Sequence, residues 1–280
     1  MHAQQRTQIH GHRGCSGHGP ENTVPAFLHA VGSGCHWLEL DVVITADDHV
    51  LVSHEPWMDH QKCLDPLGRS FTEEQGRDIN IFMLPLVEVQ RYHCVTGNEV
   101  IDKPAFPDHI HKPTLSETVQ AVDRSADQHS IAKPGFNIEV KSDPALYGSF
   151  QPGPSRFAEL VVQEVVALGI AERCIIQSFD VAILEAVRAL EPMIPVALLV
   201  ENEEGLDANL LRLSFKPDLY SPAFAMANEA MAKALRTKSI GLLVWTVNEV
   251  VDMERMLRLD VDGIITDHPE RAIALVNSRY

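Results

Sequence analysis

Apolar and polar positions change period many times along this chain, and the changes divide it into short elements. Residues 7–12 and 36–44 read as strands, the second a nearly continuous apolar run from Trp37 to Ile44 broken only by Glu39 and Asp41. Between them, Thr23 suits a helix cap, Pro25 its first turn, Phe27, Leu28 and Val31 an apolar stripe, and Gly32 and Gly34 its end. A further strand-like stretch, 50–54, follows after only Ala46 to His49. That gap is too short for a parallel crossover and predicts an antiparallel hairpin. Facing Thr45 with Val50 sets Asp41 opposite His54.

From 55 to 113 periodicity fades, with only Leu84 to Tyr92 weakly helical. Nearly sixty residues are too many for a loop, so an insertion over one end of the main domain is expected, with Trp57 and several histidines shaping a substrate mouth. Regular alternation resumes at Thr114, which makes a capping box with Glu117 ahead of Leu115, Val119 and Val122. Strands are then predicted at 136–141, 174–179, 195–200, 218–222, 241–248 and 263–269. The helices between and after them fall near 155–168, 180–190, 207–213, 228–236, 249–259 and 270–277. With 7–12 and 36–44, this gives eight βα units. The α/β class and a TIM (β/α)8 barrel follow, as a single domain over 1–280 with 50–54 as an extra antiparallel strand and 55–113 as the insertion.

Active sites of such barrels lie at the carboxyl ends of the strands, and polar residues collect there. His12 and Arg13 end the first strand, and His10 shares a face with His12. Glu39 and Asp41 lie late in the second, Glu139 and Lys141 end the third, and Trp245 and Asn248 end the seventh. A two-residue pleat points Glu39 and Asp41 to one side. Burying two carboxylates together costs several kcal/mol, roughly, unless a cation or shared proton neutralises them. A hard divalent cation bound through oxygen resolves this most simply. The hairpin returns His54 beside the carboxylates, which is the composition of a metal-assisted acid/base site.

A formal charge of −16 argues against nucleic acid or an anionic membrane as main partner and leaves a small molecule drawn by local positive charge. No apolar run approaches a membrane span, and the start MHAQQRTQIH lacks a signal-like core. A cytoplasmic location is therefore expected, unless a leader preceded this sequence; an oligomer is left open. The five cysteines, Cys15, Cys35, Cys63, Cys94 and Cys174, are scattered, odd in number and without Cys-x-x-Cys spacing, and read as reduced thiols.

HRG at 12–14, PENT at 20–23, ELD at 39–41, SH at 53–54, IEVK at 138–141, QSF at 177–179 and WTVN at 245–248 together resemble the glycerophosphodiester phosphodiesterases, over about residues 7–270. The resemblance implies a TIM barrel that hydrolyses glycerophosphodiesters to sn-glycerol 3-phosphate and an alcohol. It implies Glu39, Asp41 and Glu139 as ligands of one Ca²⁺ or Mg²⁺, and His12 and His54 as general acid and base. Arg13 and Lys141 would bind phosphate, with Phe179 and Trp245 as further substrate contacts. One position departs: the residue after the second histidine is commonly Asp in the family and is Glu55 here. A related phospholipase acting on lipid phosphodiesters is the alternative enzyme, disfavoured by the lack of a strongly amphipathic helix or basic face. A non-catalytic phosphate-binding barrel would be marked by loss of an imidazole or a metal carboxylate, and none is lost.

Overall fold

The structure, a computed structural model, describes residues 7–94 and 109–279. Its strands are β1 (Gln8–Gly11), β2 (Trp37–Ile44), β3 (Val50–Val52), β4 (Gly135–Val140), β5 (Cys174–Ser178), β6 (Val196–Val200), β7 (Leu219–Pro222), β8 (Gly241–Val244) and β9 (Gly263–Thr266). The helices are α1 (Val24–Gly32), α2 (Glu73–Asp78), α3 (Leu86–Val89), α4 (Leu115–His129), α5 (Pro154–Ala167), α6 (Val181–Leu190), α7 (Leu206–Leu210), α8 (Glu229–Lys238), α9 (Val250–Arg258) and α10 (Pro269–Arg279). All strands but β3 form one parallel ring, β1-β9-β8-β7-β6-β5-β4-β2, closed by pairing of β1 with β2. This is the TIM barrel that the alternation predicts.

Local chemistry sets the elements. Thr23 accepts a hydrogen bond from the Ala26 N–H to start α1, and Thr114 with Glu117 forms the reciprocal capping box of α4. In register, Glu39 lies beside Asn137 and Asp41 beside Glu139. Registered neighbours share a face, so these polar groups line the barrel interior while Leu38, Leu40, Val42, Phe136, Ile138 and Val140 join the apolar layer under the helices. Each such side chain contributes roughly 1.5–3 kcal/mol on burial. A one-residue slip would exchange the two faces, so this layer also fixes where the carboxylates point.

Three expectations need correction. The β2–β3 hairpin pairs Ile44 with Val50 and Val42 with Val52, which sets Asp41 opposite Ser53 rather than His54. Thr45 belongs to the turn: its hydroxyl donates to Asp47 Oδ1 and accepts from the His49 N–H, while Asp48 takes a positive φ of 63°. The strand predicted over 241–248 stops at Val244, and Trp245 makes only an isolated bridge to Ala223. The thiol expectation fails for Cys63 and Cys94, which form a disulfide. An antiparallel bridge between Leu64 and His93 brings the two together, a tertiary event that their spacing of 31 residues does not advertise. Cys15, Cys35 and Cys174 are free and buried.

Within the described part of 55–113, α2 and α3 appear, α2 with its own capping box between Thr72 and Gln75. Met58, Cys63, Ile81, Val89 and Cys94 pack on Val43 and Leu51 as a second, smaller core. Residues 95–108 of the expected insertion lie outside the described residues.

Candidate active site

Glu39, Asp41 and Glu139 each offer a carboxylate oxygen, and these atoms lie within 4.8 Å of one another. The residues are 2%, 1% and 9% exposed. Burial, then the charge of Asp41, pushes Glu39 up to about 8. Burial likewise raises Glu139, although Lys141 works against it. For Asp41 burial also acts upward, but Arg13, His54 and Lys141 outweigh it and hold the carboxyl down to about 2. Two carboxyls that resist ionisation around a third that is ionised describe a pocket of uncompensated negative potential. The donor set is all oxygen, so the residues fit a hard divalent cation.

Each candidate histidine is held through Nδ1 by a carboxylate. His12 Nδ1 lies 2.5 Å from Asp267 Oδ1, and His54 Nδ1 lies 2.8 Å from Glu55 Oε1. Donation from Nδ1 leaves Nε2 of each ring as the lone-pair nitrogen. Lys141 Nζ stands 3.1 Å from His54 Nε2. Asp267 also accepts from Ser16 Oγ and Asn248 Nδ2, so its orientation is set by three side chains. Burial lowers the His12 pKa, but the Asp267 hydrogen bond and the charges of Glu39 and Asp267 outweigh it, and the net shift is upward.

The cations lie among the acids. Lys141 Nζ is 2.7 Å from Glu139 and 3.9 Å from Asp41. Arg13 Nε is 3.3 Å from Asp41, its NH1 is 2.9 Å from Glu21, and its backbone N–H donates to Glu39. Arg13 takes a positive φ of 48° and Gly14 one of 88°, which turns the chain sharply so that both the Arg13 amide and its side chain meet the carboxylates. A Cβ on Gly14 would stand 2.8 Å from the Ala26 backbone, so the turn needs glycine on both counts.

All seven predicted catalytic, phosphate and metal residues thus fall in or beside one cluster. Phe179 and Trp245 pack edge to face at 5.6 Å as an aromatic pair, with Trp245 Nε1 donating to Ser221 O. His10 is not part of the site: it is buried, stacked on Trp37 at 5.5 Å, and pushed down to about 3 by burial. Trp57 meets Phe150 edge-on at 5.8 Å and lies under Arg77. A cavity of about 170 Å³ adjoins His54, and the insertion supplies Glu55, Lys62, Cys63, Cys94 and Lys112 to its lining. Lys62 bridges Glu21 and Glu55 at 2.8 and 3.1 Å. Lys112 is buried, and its Nζ reaches Ser53 Oγ at 2.8 Å.

Sequence reasoning missed four participants. Asn22, at a φ of 56°, donates to Asp41 Oδ2 at 2.8 Å, and Gln177 donates to Glu39 Oε1 at 3.1 Å. Both sit inside quoted motifs, PENT and QSF, so their signal was present. Glu21 also lies in PENT. Asp267 follows the last strand in GIITDHP and carried only its position at a strand end as a clue.

The family model described as "Glycerophosphoryl diester phosphodiesterase family" matches residues 12–271. A glycerophosphodiester phosphodiesterase of Caldanaerobacter subterraneus subsp. tengcongensis is 29% identical over 273 residues, covering 97% of this chain and 98% of that protein. A Silicibacter pomeroyi crystal structure with a provisional glycerophosphoryl diester phosphodiesterase name superposes with a TM-score of 0.83 at 26% identity, covering 99% and 95% of the two chains. An Oleispira antarctica phosphodiesterase, solved in complex with the product sn-glycerol-3-phosphate, shares the fold with a TM-score of 0.74 at 18% identity, over 97% of each chain.

Proposed function

Because the chain belongs to the glycerophosphoryl diester phosphodiesterase family, we propose that it hydrolyses glycerophosphodiesters to sn-glycerol 3-phosphate and an alcohol, with one Ca²⁺ or Mg²⁺ held by Glu39, Asp41 and Glu139. The observation that carries this reading is the convergence of three buried carboxylates with two imidazoles, each fixed at Nδ1 by its own carboxylate. The cation, when bound, supplies electrostatic stabilisation of the charge that builds on the phosphate oxygens.

The protein's own residues perform the remaining steps. Arg13 and Lys141 offer donors to the nonbridging oxygens, Arg13 as a planar fork and Lys141 as a point charge. Three carboxylates against these two basic side chains leave one negative charge, and a divalent ion turns that into one positive charge, matching a singly charged phosphodiester. Of His12 and His54, one takes a proton from the attacking oxygen and the other gives one to the leaving alkoxide, each through Nε2. Asp267 and Glu55 hold the rings in that tautomer, and Asp267 also favours the imidazolium of His12. Glu55 thus holds His54 by reaching its ring from the adjacent position.

The cavity beside His54 is proposed to receive the alcohol side of the substrate, with the insertion setting which alcohol is accepted. That cavity, of about 170 Å³, favours a small glycerophosphodiester over a lipid. The test is product release across glycerophosphocholine, glycerophosphoethanolamine, glycerophosphoinositol and a long-chain lysophospholipid, with and without chelator. Glycerol 3-phosphate release that stops on chelation and returns with Ca²⁺ or Mg²⁺ is expected. Full turnover in excess chelator would refute the metal assignment, and turnover confined to the lysophospholipid would replace the substrate class.

A further inference from the structure

A second cluster of metal-ligand side chains lies beyond the acidic site, where the first and last βα units meet. The β1–α1 loop brings Cys15 and His18; the first turn of α10 brings Glu270. Cys15 Sγ, a His18 ring nitrogen and a Glu270 oxygen lie within 4.8 Å of one another. We propose that this cluster binds one borderline-soft divalent ion of the Zn²⁺ class, as a clip between the β1–α1 and β9–α10 loops.

Three observations carry it. First, the donors match that class. A thiolate, an imidazole and a carboxylate are what tetrahedral zinc takes, whereas Mg²⁺ and Ca²⁺ select the all-oxygen set of the acidic site. Tetrahedral ligands stand roughly 3.3–3.8 Å apart at ordinary zinc bond lengths, so the present spacing needs only a small contraction.

Second, polar atoms here lack partners. Glu270 Oε2 and His268 Nδ1 are buried with no hydrogen-bond partner. Glu270 Oε1 lies 2.9 Å from His18 Nε2 and 3.7 Å from His268 Nδ1, so one carboxylate is aimed at two imidazoles. An unpaired buried acceptor beside an unpaired ring nitrogen costs stability unless something binds both. His268 therefore stands next to the cluster as a fourth donor, and a water can fill the position instead.

Third, the backbone is shaped around the cluster. A Cβ on Gly17 would stand 2.4 Å from the His268 ring and 2.8 Å from Asp267 O, so the loop presses directly on these residues. Cys15 is fully buried, with Sγ 3.7 Å from Asp267 O, while the His18 side chain is 41% exposed and gives the ion a way in. His29 of α1 stacks on His18 at 5.3 Å and holds its plane. Burial beside Glu270 and Asp267 pushes the Cys15 thiol up to about 12, so the sulfur stays protonated until a cation displaces that proton.

The clip is independent of the acidic triad but adjoins its scaffold, since Ser16 and Asp267, between and beside the donors, bond to each other and to His12. The experiment uses the full chain, stripped by chelator and reloaded with saturating Mg²⁺ to fill the hard site. Co²⁺ is then titrated and followed by visible d–d absorption and the near-ultraviolet thiolate-to-cobalt band, with Zn²⁺ displacing it. One equivalent of Co²⁺ with a thiolate band is expected. Cys15→Ser should abolish the band, and His18→Ala, at an exposed side chain that tolerates change, should weaken Co²⁺ binding at least tenfold. Absence of a thiolate band, a band that persists in Cys15→Ser, or a Co²⁺ equivalent lost in Glu139→Gln but kept in His18→Ala would each overturn the proposal.

Discussion

The acidic triad makes a quantitative prediction about protons. With Glu39 pushed up to about 8 by burial and by Asp41, the metal-free site holds a proton at neutral pH that a bound cation must displace. A group of that pKa is roughly nine-tenths protonated at pH 7, so about 0.9 proton should leave per ion bound. Apparent affinity for Mg²⁺ or Ca²⁺ should then rise roughly 80-fold between pH 6 and 8.5 from this one group, steeply below pH 7 and flattening above 8. Glu139, also raised, adds to the slope. Calorimetric titration at each pH, in two buffers of different ionisation enthalpy, reads the proton release directly. Glu39→Gln mimics the protonated carboxyl, so it should bind the ion more weakly and with a much shallower pH dependence. The same shift has a stability consequence of defined sign. The folded protein keeps the proton longer than the unfolded chain, so this contribution to metal-free stability is full below about 4.5, falls as pH rises, and is gone above about 8. Proton release near zero at pH 7, or an unchanged slope in Glu39→Gln, would refute the reasoning.

Other consequences follow from single contacts. His12→Ala and His54→Ala should each lose on the order of 10² to 10⁴ in kcat while equilibrium binding of metal and inorganic phosphate persists, and undiminished turnover in either would return that ring to a structural role. Asp267→Asn removes the negative charge that, with its hydrogen bond, raises His12, so the His12 limb of the pH–rate profile should move to lower pH; an unmoved limb would detach Asp267 from His12. Reducing the Cys63–Cys94 disulfide frees a loop of 31 residues and should cost roughly 3–4 kcal/mol where that loop unfolds with the barrel, read as the denaturant midpoint of Cys63→Ser/Cys94→Ser against the parent. Lys62→Ala, by releasing Glu21 and Glu55, should change relative rates across head groups more than the rate on a small activated diester, and an equal loss on every substrate would remove the insertion from specificity.

What the sequence made legible and what it hid divide along a physical line. The barrel was legible because each βα unit is local: Thr114 caps its own helix through Glu117, and the apolar run of β2 is read within one strand. Glu39, Asp41 and Glu139 were legible because a period of two fixes their face and strand-end position fixes their depth. Contacts that depend on a chain reversal were not. The hairpin register missed by one residue because Thr45 satisfies the turn with its own hydroxyl, a choice that apolar periodicity cannot weigh. His54 still reaches the site because the chain leaves the strand after Val52: Ser53 donates its N–H to Asp41 O, and Lys141, from the neighbouring strand, meets the imidazole. The carboxylate behind His12 is 255 residues away in sequence and became its neighbour only through closure of β1 on β9. The disulfide belongs to the same class, and so does the approach of Glu270 to the Cys15–His18 loop, since these partners meet through tertiary folding. Periodicity therefore located the groups that line the barrel, while the carboxylate that holds His12 required the closed ring.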